Sequence, residues 1–317
     1  MTFIQSSPRT CRFLFAEFKR ENSGAFGKKI FFEGVGGKDV YNITPPFVTD
    51  GITYIAGRVE ERATCWQQEE YQATTIFFVA RGSVWVPAEG LPIFPVEDPF
   101  LVRLGENIVF GGVEVFPFLK NQKPRSFRTV FYRGTTIGGL RKFAVGPDHM
   151  KDIRLVELEH GRIGVFTRPQ GRTGGRGTIG FMILDALDEL SSADLVNAPL
   201  IKRQFMRAEW GGVNEAHKLP DGRIGIVGHI ASRDTRGNKH YYAMTFTLWP
   251  HTAKVSPLRI IAARNNFPPG HAKMPELVDV VFPGGFMMND DGTITLYAGL
   301  SDTEAGLVVL HDPFTSM

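Results

Sequence analysis

Four polar residues stand at nearly the same distance before a repeated isoleucine, and their types suit a shared polar site. Asn42, Asp98 and Asn214 precede the isoleucine by ten residues, and Asp152 precedes it by eleven. An aspartate among apolar neighbours is expected to have a raised pKa and can act as a general acid. Any single one of these residues could be a simple turn residue. Four in register favour a site on which the repeats converge.

Asp98 is the candidate acid, within the segment Glu97-Asp98-Pro99. Adjacent residues of a strand point to opposite faces, so only one of the two acids is expected to face the site. The register with Asn42 and Asn214 selects Asp98. The alternative role for this aspartate is a hydrogen bond in a turn or between repeats.

A second set of residues follows the same isoleucine by five or six positions. Arg58, Arg168 and His229 belong to this set, and Glu114 holds the equivalent position in the second repeat. Together with Lys151, the three basic residues predict a cationic patch that suits an anionic substrate such as phosphate. The alternative is salt bridging at solvated strand ends.

The available acids bear on the type of reaction. Glycoside hydrolysis usually needs two carboxylates, one as acid and one as base or nucleophile. The first repeat has the amide Asn42 at this position, so phosphate or a sugar nucleotide is expected to supply the other half of the chemistry. This favours a phosphorylase or transferase. A hydrolase stays open as an alternative, with Glu60, Glu114 or Glu215 as its second acid.

Two further features carry weaker signals. Trp66 and Trp210 are candidates for stacking on sugar rings, although core packing explains either equally well. The segment 168–178 is basic and rich in glycine. It could cradle an anion, but it lacks the lysine and spacing of a P-loop and is interpreted as a surface loop.

Short strands must position these residues, because each repeated isoleucine is followed two positions later by an apolar partner. Successive isoleucines lie 56, 55, 61 and 70 residues apart. Five such units predict an all-β fold, a five-bladed β-propeller formed by a single domain over residues 1–317. Two β-sandwich domains would not give such even spacing. The isoleucines are Ile52, Ile108, Ile163, Ile224 and Ile294.

Composition excludes several classes of protein. A net charge of +3 with 22% charged residues argues against nucleic-acid binding, and 35 glycines with 20 prolines disfavour long helices. No stretch approaches the ~20 apolar residues of a membrane span. The two cysteines and eight histidines show no metal-ligand spacing. We therefore expect a cytoplasmic protein without a metal or a cofactor.

Several short motifs resemble those of bacterial β-mannoside phosphorylases, which are five-bladed propellers. The segments VFPGG at 281–285 and LYAGLSDT at 296–303 are similar to the last blade of those enzymes. The segment 97–99 resembles their EDP motif, whose aspartate is the general acid. Lys151-Asp152 resembles their KD pair, whose lysine contacts phosphate, and His229 is similar to their phosphate-contacting histidine. Departures occur at Phe100, where those enzymes usually have arginine, and at Val227 and Ala298 within the other motifs.

The chain length is closest to that of the mannosyltransferase/phosphorylases that build and degrade a β-1,2-mannan reserve in protozoan parasites. The resemblance implies transfer of mannose between a β-1,2-mannooligosaccharide and phosphate, with inversion, to give mannose 1-phosphate. It also suggests GDP-mannose as a donor, and it implies no nucleic-acid or membrane partner. The alternatives are a β-mannosidase-like glycoside hydrolase and a non-catalytic carbohydrate-binding propeller.

The resemblance and the register of the repeats together imply a role for each candidate residue. Asp98 is the catalytic acid in phosphorolysis and the base in synthesis. Phosphate binding falls to Lys151, Arg168 and His229. The residues expected to hold the sugar are Asn42, Arg58, Asp152, Asn214 and Asp302.

Overall fold

The computed structural model describes residues 2–4, 7–21, 24–62, 73–116, 126–191 and 193–315. Helix α1 (Cys11–Glu21) and strand β1 (Lys28–Phe32) come first. The strands that follow fall into five successive groups, which we call sheets I to V. Within each group, neighbouring strands along the chain pair mainly antiparallel.

The remaining strands and helices follow in chain order. Sheet I contains β2 (Asp39–Tyr41), β3 (Phe47–Thr49), β4 (Ile52–Glu60), β5 (Thr74–Arg81) and β6 (Val84–Pro87). Sheet II contains β7 (Glu97–Leu104), β8 (Asn107–Phe116), β9 (Ser126–Gly134) and β10 (Arg141–Val145). Sheet III contains β11 (Arg154–Glu157), β12 (Ile163–Thr167) and β13 (Gly180–Leu184), with the short helix α2 (Gly171–Gly174) before β13.

Sheets IV and V complete the chain. Sheet IV contains β14 (Trp210–Lys218), β15 (Ile224–Arg233), β16 (Lys239–Trp249), β17 (Lys254–Val255) and β18 (Arg259–Ala262). Sheet V contains β19 (Asp279–Met288), β20 (Thr293–Leu300) and β21 (Glu304–His311). Single-turn 3-10 segments occupy Glu159–Gly161, Leu187–Ser191, Leu195–Asn197, Arg264–Asn266 and Pro275–Leu277.

Strand β1 joins the two ends of this series. It pairs antiparallel with β21, with Lys28 opposite Leu307, and so provides the fourth strand of sheet V. It also meets β6 of sheet I in parallel, with Phe31 opposite Val84. Five antiparallel sheets closed in this way form a five-bladed β-propeller, and the predicted fold is confirmed.

The repeated isoleucines lie on the second strand of each sheet in pairing order, which in sheet I is β4, because both β2 and β3 pair with it. Four of them are buried, and so are their partners two positions later, because this strand is packed between neighbouring sheets. Ile52 is the exception, since it is 47% exposed at the start of β4. The prediction of period-two burial is therefore wrong at this isoleucine. Its partner Tyr54 is buried as expected.

The backbone is irregular in or next to the first strand of each sheet, at the position that precedes the isoleucine by ten or eleven residues. The pairing register shifts across Asp98, Asn214 and Gly284, which marks a β-bulge in β7, β14 and β19. Asn42, Asp98 and Asp152 have φ angles of 47°, 50° and 59°. Asn and Asp tolerate this left-handed conformation better than other residues with a side chain. The regular spacing of the polar residues therefore reflects a repeated backbone distortion.

Apolar clusters fill the spaces between neighbouring sheets. The largest lies around sheets III and IV, where Phe166, Phe181 and Phe246 are fully buried. Helix α1 covers this cluster with Leu14 and Phe18. Among the residues that the structure describes, no helix has both the length and the apolar character needed to cross a membrane.

We predict that Gly27→Ala destabilises the fold. A Cβ at Gly27 would lie 2.3 Å from the carbonyl oxygen of Leu307 on β21, which is held by its pairing with β1. Overpacking of this kind costs about 1–3 kcal/mol. Urea denaturation measures the effect. Gly138→Ala is the control, because its Cβ would meet open space at an ordinary φ. Equal loss of stability in both variants would contradict the closure by β1.

Candidate active site

Asp98 lies at the centre of a buried polar cluster near the start of the first strands. Its Oδ1 accepts hydrogen bonds from Asn42 Nδ2 at 2.7 Å and from Arg58 Nη1 at 3.0 Å. Lys151 Nζ is 4.0 Å from Asp98 Oδ2. These contacts bring together residues from sheet I, sheet II and the segment before β11. The predicted convergence of Asn42, Arg58, Asp98 and Lys151 is therefore found in the structure.

Arg58 binds three carboxylates at once. Its Nη1 contacts Glu97 Oε2 at 3.2 Å as well as Asp98, and its Nη2 contacts Glu60 Oε2 at 2.9 Å. The expectation that only one of Glu97 and Asp98 faces the site is wrong. The positive φ of Asp98 and the bulge in β7 break the alternation of the strand, so both side chains reach Arg58.

The cluster continues from Glu60 to two residues that the sequence did not single out. Lys273 Nζ donates to Glu60 Oε1 at 2.5 Å, and the Tyr41 hydroxyl donates to Glu60 Oε2. Burial raises the pKa of Glu60, but the charges of Arg58 and Lys273 outweigh it and lower the pKa to about 2. Tyr41 directly precedes Asn42. Lys273 lies between β18 and β19, outside the repeated pattern, so no sequence signal pointed to it.

The pKa values of Glu97 and Asp98 move in opposite directions. Burial raises the pKa of Asp98, but the positive charges of Arg58 and Lys151 and the Asn42 hydrogen bond hold it well below its usual range. Burial also raises the pKa of Glu97, and the neighbouring Asp98 charge adds to this rise. The expectation of a raised pKa at Asp98 is therefore wrong. Its cationic neighbours override the effect of burial.

A second group of predicted residues lies beyond Lys151. Arg168 Nη1 is 3.2 Å from Asp152 Oδ2, and Arg168 Nε donates to the carbonyl of Gly211 at 2.8 Å. Arg168 and Asp152 are almost completely buried. Despite this burial, Asp152 Oδ1 makes no hydrogen bond to any residue that the structure describes, and Asp152 Oδ2 and Arg168 Nη1 have only their ion pair with each other.

Lys151 connects the two groups. Burial lowers the pKa of its amine, but the charges of Asp152 and Asp98 more than compensate and raise it. Lys151 is therefore a cation at neutral pH. The Asp152 carboxylate is also charged, because Arg168 and Lys151 lower its pKa against the effect of burial.

His229 differs from the other members of the predicted cationic patch. Its Nδ1 forms a 2.8 Å hydrogen bond with Asn214 Oδ1, which places the proton on Nδ1. Burial, together with the charges of Arg168 and Lys151, lowers the pKa of His229 to about 3. The expectation that His229 adds positive charge is therefore wrong. At neutral pH it offers a hydrogen-bonding imidazole.

Asp302 lies beside the Arg58 group. It follows Ser301 in the turn between β20 and β21 and has a φ of 55°. Burial raises its pKa, and the charges of Arg58, Asp98 and Lys273 all act on it. The structure thus places this predicted residue in the cluster without a direct ion pair to it.

Two proposed second acids for a hydrolase have partners outside the cluster. Glu114 binds Arg128 Nε at 2.8 Å and Lys142 Nζ at 2.7 Å. Glu215 binds His217 Nε2 at 2.9 Å and also accepts the backbone N–H of Phe286.

Of the two candidate tryptophans, only Trp210 lies within the described residues. Trp66 lies outside the described residues. Trp210 is buried, and its indole N–H donates to the Tyr241 hydroxyl at 2.9 Å, which agrees with a packing role.

In the segment 168–178, Gly177 lies against the Arg168 guanidinium, where a Cβ would be 2.7 Å from Nη2. The segment therefore helps to position Arg168.

Arg154 is a further buried cation that the sequence did not reveal. Its Nε donates to the carbonyl of Asn214 at 2.8 Å, and its guanidinium lies 4.2 Å from the centre of the Phe100 ring. Burial lowers its pKa. Phe100 stands where the bacterial enzymes usually have arginine, and its ring packs against this guanidinium.

One family model covers almost the whole chain. The family model described as a protein of unknown function, DUF1861, matches residues 16–316. No curated protein matches the chain at a significant level.

Solved structures give clear similarities. MPT-4, a mannose phosphorylase from Leishmania mexicana in complex with phosphate ion, is 33% identical, with a TM-score of 0.86 over 96% of this chain and 94% of that chain. MPT-1, a GDP-Man-dependent mannosyltransferase from the same organism, is 34% identical, with a TM-score of 0.85 over 96% and 95% of the two chains. A structure of the GH130 mannoside phosphorylase family is 13% identical, with a TM-score of 0.57 over 87% of each chain, and supports the fold alone.

We predict that His229 stays neutral across the range in which an ordinary histidine titrates. In the unfolded chain the ring takes a proton near pH 6.5, whereas in the native protein it does so only near pH 3. The ring thus contributes stability that is present above pH 6.5 and is lost as the pH falls towards 3. NMR titration of the ring protons, with the urea-unfolded protein as reference, checks this. A native midpoint near 6.5 would contradict it.

Proposed function

The chain belongs to the DUF1861 family and to the family of the Leishmania mexicana mannose phosphorylase MPT-4, and on this premise we propose that it is a mannosyl-transferring phosphorylase. The substrate is a β-1,2-mannooligosaccharide, the acceptor is inorganic phosphate, and the product is α-mannose 1-phosphate. The same site can run the reaction towards chain extension. The observation that carries this proposal is the position of Asp98 beside the cation Lys151, with Arg168 and Asp152 next to it.

The buried polar atoms support a ligand rich in oxygen atoms. Asp152 Oδ1 has no partner among the described residues, and Arg168 Nη1 contacts only Asp152 Oδ2. Buried polar atoms in native proteins nearly always have partners, so a substrate hydroxyl or a phosphate oxygen is a fitting partner here. Lys151 and Arg168 bind the phosphate, and the neutral His229, with its proton on Nδ1, accepts a hydrogen bond from a P–OH group at Nε2. Asn42, Arg58, Asn214 and Asp302 surround the sugar.

The reaction balances with one protein acid. In phosphorolysis a phosphate oxygen forms a bond to the anomeric carbon of mannose while the bond from that carbon to the glycosidic oxygen breaks. Asp98 gives its proton to the departing oxygen, directly or through a substrate hydroxyl, and the configuration inverts. In synthesis the phosphate departs, and the Asp98 carboxylate takes the proton of the attacking hydroxyl.

The low pKa of Asp98 fits the synthetic direction without adjustment, because the carboxylate is already ionised. Phosphorolysis needs the protonated acid. A phosphate dianion beside Lys151 and Arg168 offsets part of the positive charge that lowers this pKa. Binding of phosphate thus favours the protonated form of Asp98 when phosphorolysis requires it.

The carboxylate geometry disfavours an inverting hydrolase. Such an enzyme separates its two carboxyl groups by about 6.5–9.5 Å to admit a water molecule. Oxygens of Glu97 and Asp98 lie 3.2 and 3.0 Å from the same nitrogen of Arg58, so they are closer together than this. Glu60, the remaining candidate acid, is held by Arg58 and Lys273.

We predict that purified protein forms mannose 1-phosphate from β-1,2-mannobiose only when inorganic phosphate is present. A coupled assay with and without phosphate measures this. Free mannose in both conditions would establish a hydrolase. No product from mannobiose, and no transfer from GDP-mannose, would leave a non-catalytic carbohydrate-binding propeller. Transfer from GDP-mannose would identify the sugar nucleotide as a donor, as named for MPT-1.

We predict that Asp98→Asn lowers the turnover number by about 100-fold to 10,000-fold, the usual contribution of a general acid or base. Circular dichroism should show an unchanged fold. Asp188→Asn is the matched control, because Asp188 is exposed and pairs only with Arg133 among the described contacts. Near-wild-type turnover in Asp98→Asn would overturn the assignment.

We predict that Lys151→Ala raises the KM for phosphate about tenfold or more, because a hydrogen bond to a charged group contributes roughly 1.5–3 kcal/mol. Lys142→Ala makes the same change of charge beside Glu114, away from Asp98, and should leave this KM unchanged. Steady-state kinetics with varied phosphate provide the comparison. An equal effect in the two variants would mean that Lys151 acts only through the overall charge.

A further inference from the structure

A groove of about 440 Å³ lies between sheet V and sheet I, and the proposed mannosyl transfer makes no use of it. We call it the β1–β2 groove. Strand β1 forms one side through Lys29 and Phe31, and Asp39 at the start of β2 forms another. Arg62 and Thr303 lie at its edge. A volume of this size is within the range of small-molecule sites.

The groove begins beside the cluster around Arg58. His271 and Ala272 line it and are followed by Lys273, which binds Glu60. Thr303 lines it and directly follows Asp302. The hydroxyl of Thr303 donates to the carbonyl of His271 at 2.9 Å, so these two segments are held together. A molecule in the groove can therefore continue from one bound at Asp98.

The charges of the groove are balanced in pairs. Lys29 binds Glu304 at 2.8 Å, and Arg62 binds Asp39 at 3.0 Å. A nearby pair joins Lys38 to Glu61 at 2.9 Å. A polyphosphate would be recognised by cations without such carboxylate partners. Paired charges instead present donors and acceptors side by side, which matches the hydroxyl groups of an uncharged sugar chain.

An aromatic face accompanies these polar groups. Phe31 is 60% exposed although it lies in a strand that pairs on both sides. Phe32 and Val40 add apolar surface to the groove. A hexose offers apolar C–H faces between its hydroxyl groups, so an exposed ring next to paired charges suits it. These are complementary features for an oligosaccharide.

From these observations we propose that the β1–β2 groove is an outer carbohydrate subsite, which binds mannose units of the chain beyond those at Asp98. This rests on the proposed function, because the chain in the groove is the substrate of that reaction. The groove makes the enzyme selective for longer oligosaccharides. Phe31 packs against a sugar ring, and the ion pairs of Arg62 and Lys29 bind its hydroxyl groups.

Calorimetric titration with β-1,2-mannobiose and with longer oligomers tests the proposal. The wild-type protein should bind the longer oligomers more tightly than mannobiose. Phe31→Ala should weaken binding of the longer oligomers by about threefold to tenfold and leave mannobiose binding unchanged. Phe31→Trp should restore the tighter binding of the longer oligomers. This result separates a stacking role from a loss of folding. Phe13→Ala, on the exposed side of α1, is the control and should bind every oligomer as the wild type does.

The outcomes distinguish the two proposals. If wild-type affinity does not increase with chain length, or if Phe31→Ala keeps the full increase, the groove is not a subsite while mannosyl transfer stands. If mannobiose is neither bound nor converted in the presence of phosphate, the proposed function is wrong and the subsite proposal falls with it. An equal loss for all oligomers in Phe31→Ala would mean general damage near Asp98 and would also overturn the subsite.

Discussion

The site depends on one guanidinium group that is shared by three carboxylates, of which Glu60 and Asp98 are buried and Glu97 is partly buried. Arg58 contacts Glu60, Glu97 and Asp98, and these acids come from two sheets. A carboxylate that is removed from water without a partner would neutralise or destabilise the fold. Arg58 therefore makes the concentration of acids near the axis possible. It also fixes which acid keeps its charge, since Asp98 has the additional support of Lys151 and Asn42.

The backbone distortions of the first strands serve the same arrangement. A regular strand would point Glu97 and Asp98 to opposite faces. The bulge in β7 adds a residue at this position and brings both side chains to Arg58. In β14 the adjacent side chains of Asn214 and Glu215 stay apart, since Asn214 holds the His229 ring and Glu215 contacts His217. The distorted backbone of the inner strands thus places the side chains of the site at the propeller axis.

The sequence predicted much of the fold and part of the site. The repeated isoleucines gave the number of sheets because each marks a buried second strand, although Ile52 is exposed at the edge of its strand. The regular Asn and Asp residues predicted which side chains would converge because the same left-handed conformation recurs at three of them. Properties that depend on three-dimensional surroundings were not accessible. The charge of His229 and the pKa of Asp98 are set by burial and by neighbours distant in sequence.

Residues outside the repeat were also missed, and for a physical reason. Lys273 comes from the connection between β18 and β19, and its contact with Glu60 spans more than two hundred positions of the chain. Tyr41 is adjacent to a predicted residue, but a tyrosine before an asparagine carries no pattern of its own. Arg154 satisfies its guanidinium with carbonyl groups and the Phe100 ring and forms no ion pair with any described residue, so a spacing rule could not have indicated it.

The pairing of β1 with β21 also constrains how the molecule reaches this structure. The strand that closes the ring precedes the other strands of the propeller in the chain, and its antiparallel partner is the last strand of sheet V. During synthesis, β1 has no antiparallel partner until the strands of all five sheets have been made. Contacts between such distant segments are slow to form because the entropy of closing the intervening chain opposes them. Folding of the propeller should therefore end with a late, slow closure step, and until that step an edge of sheet V stays open to pairing with other chains.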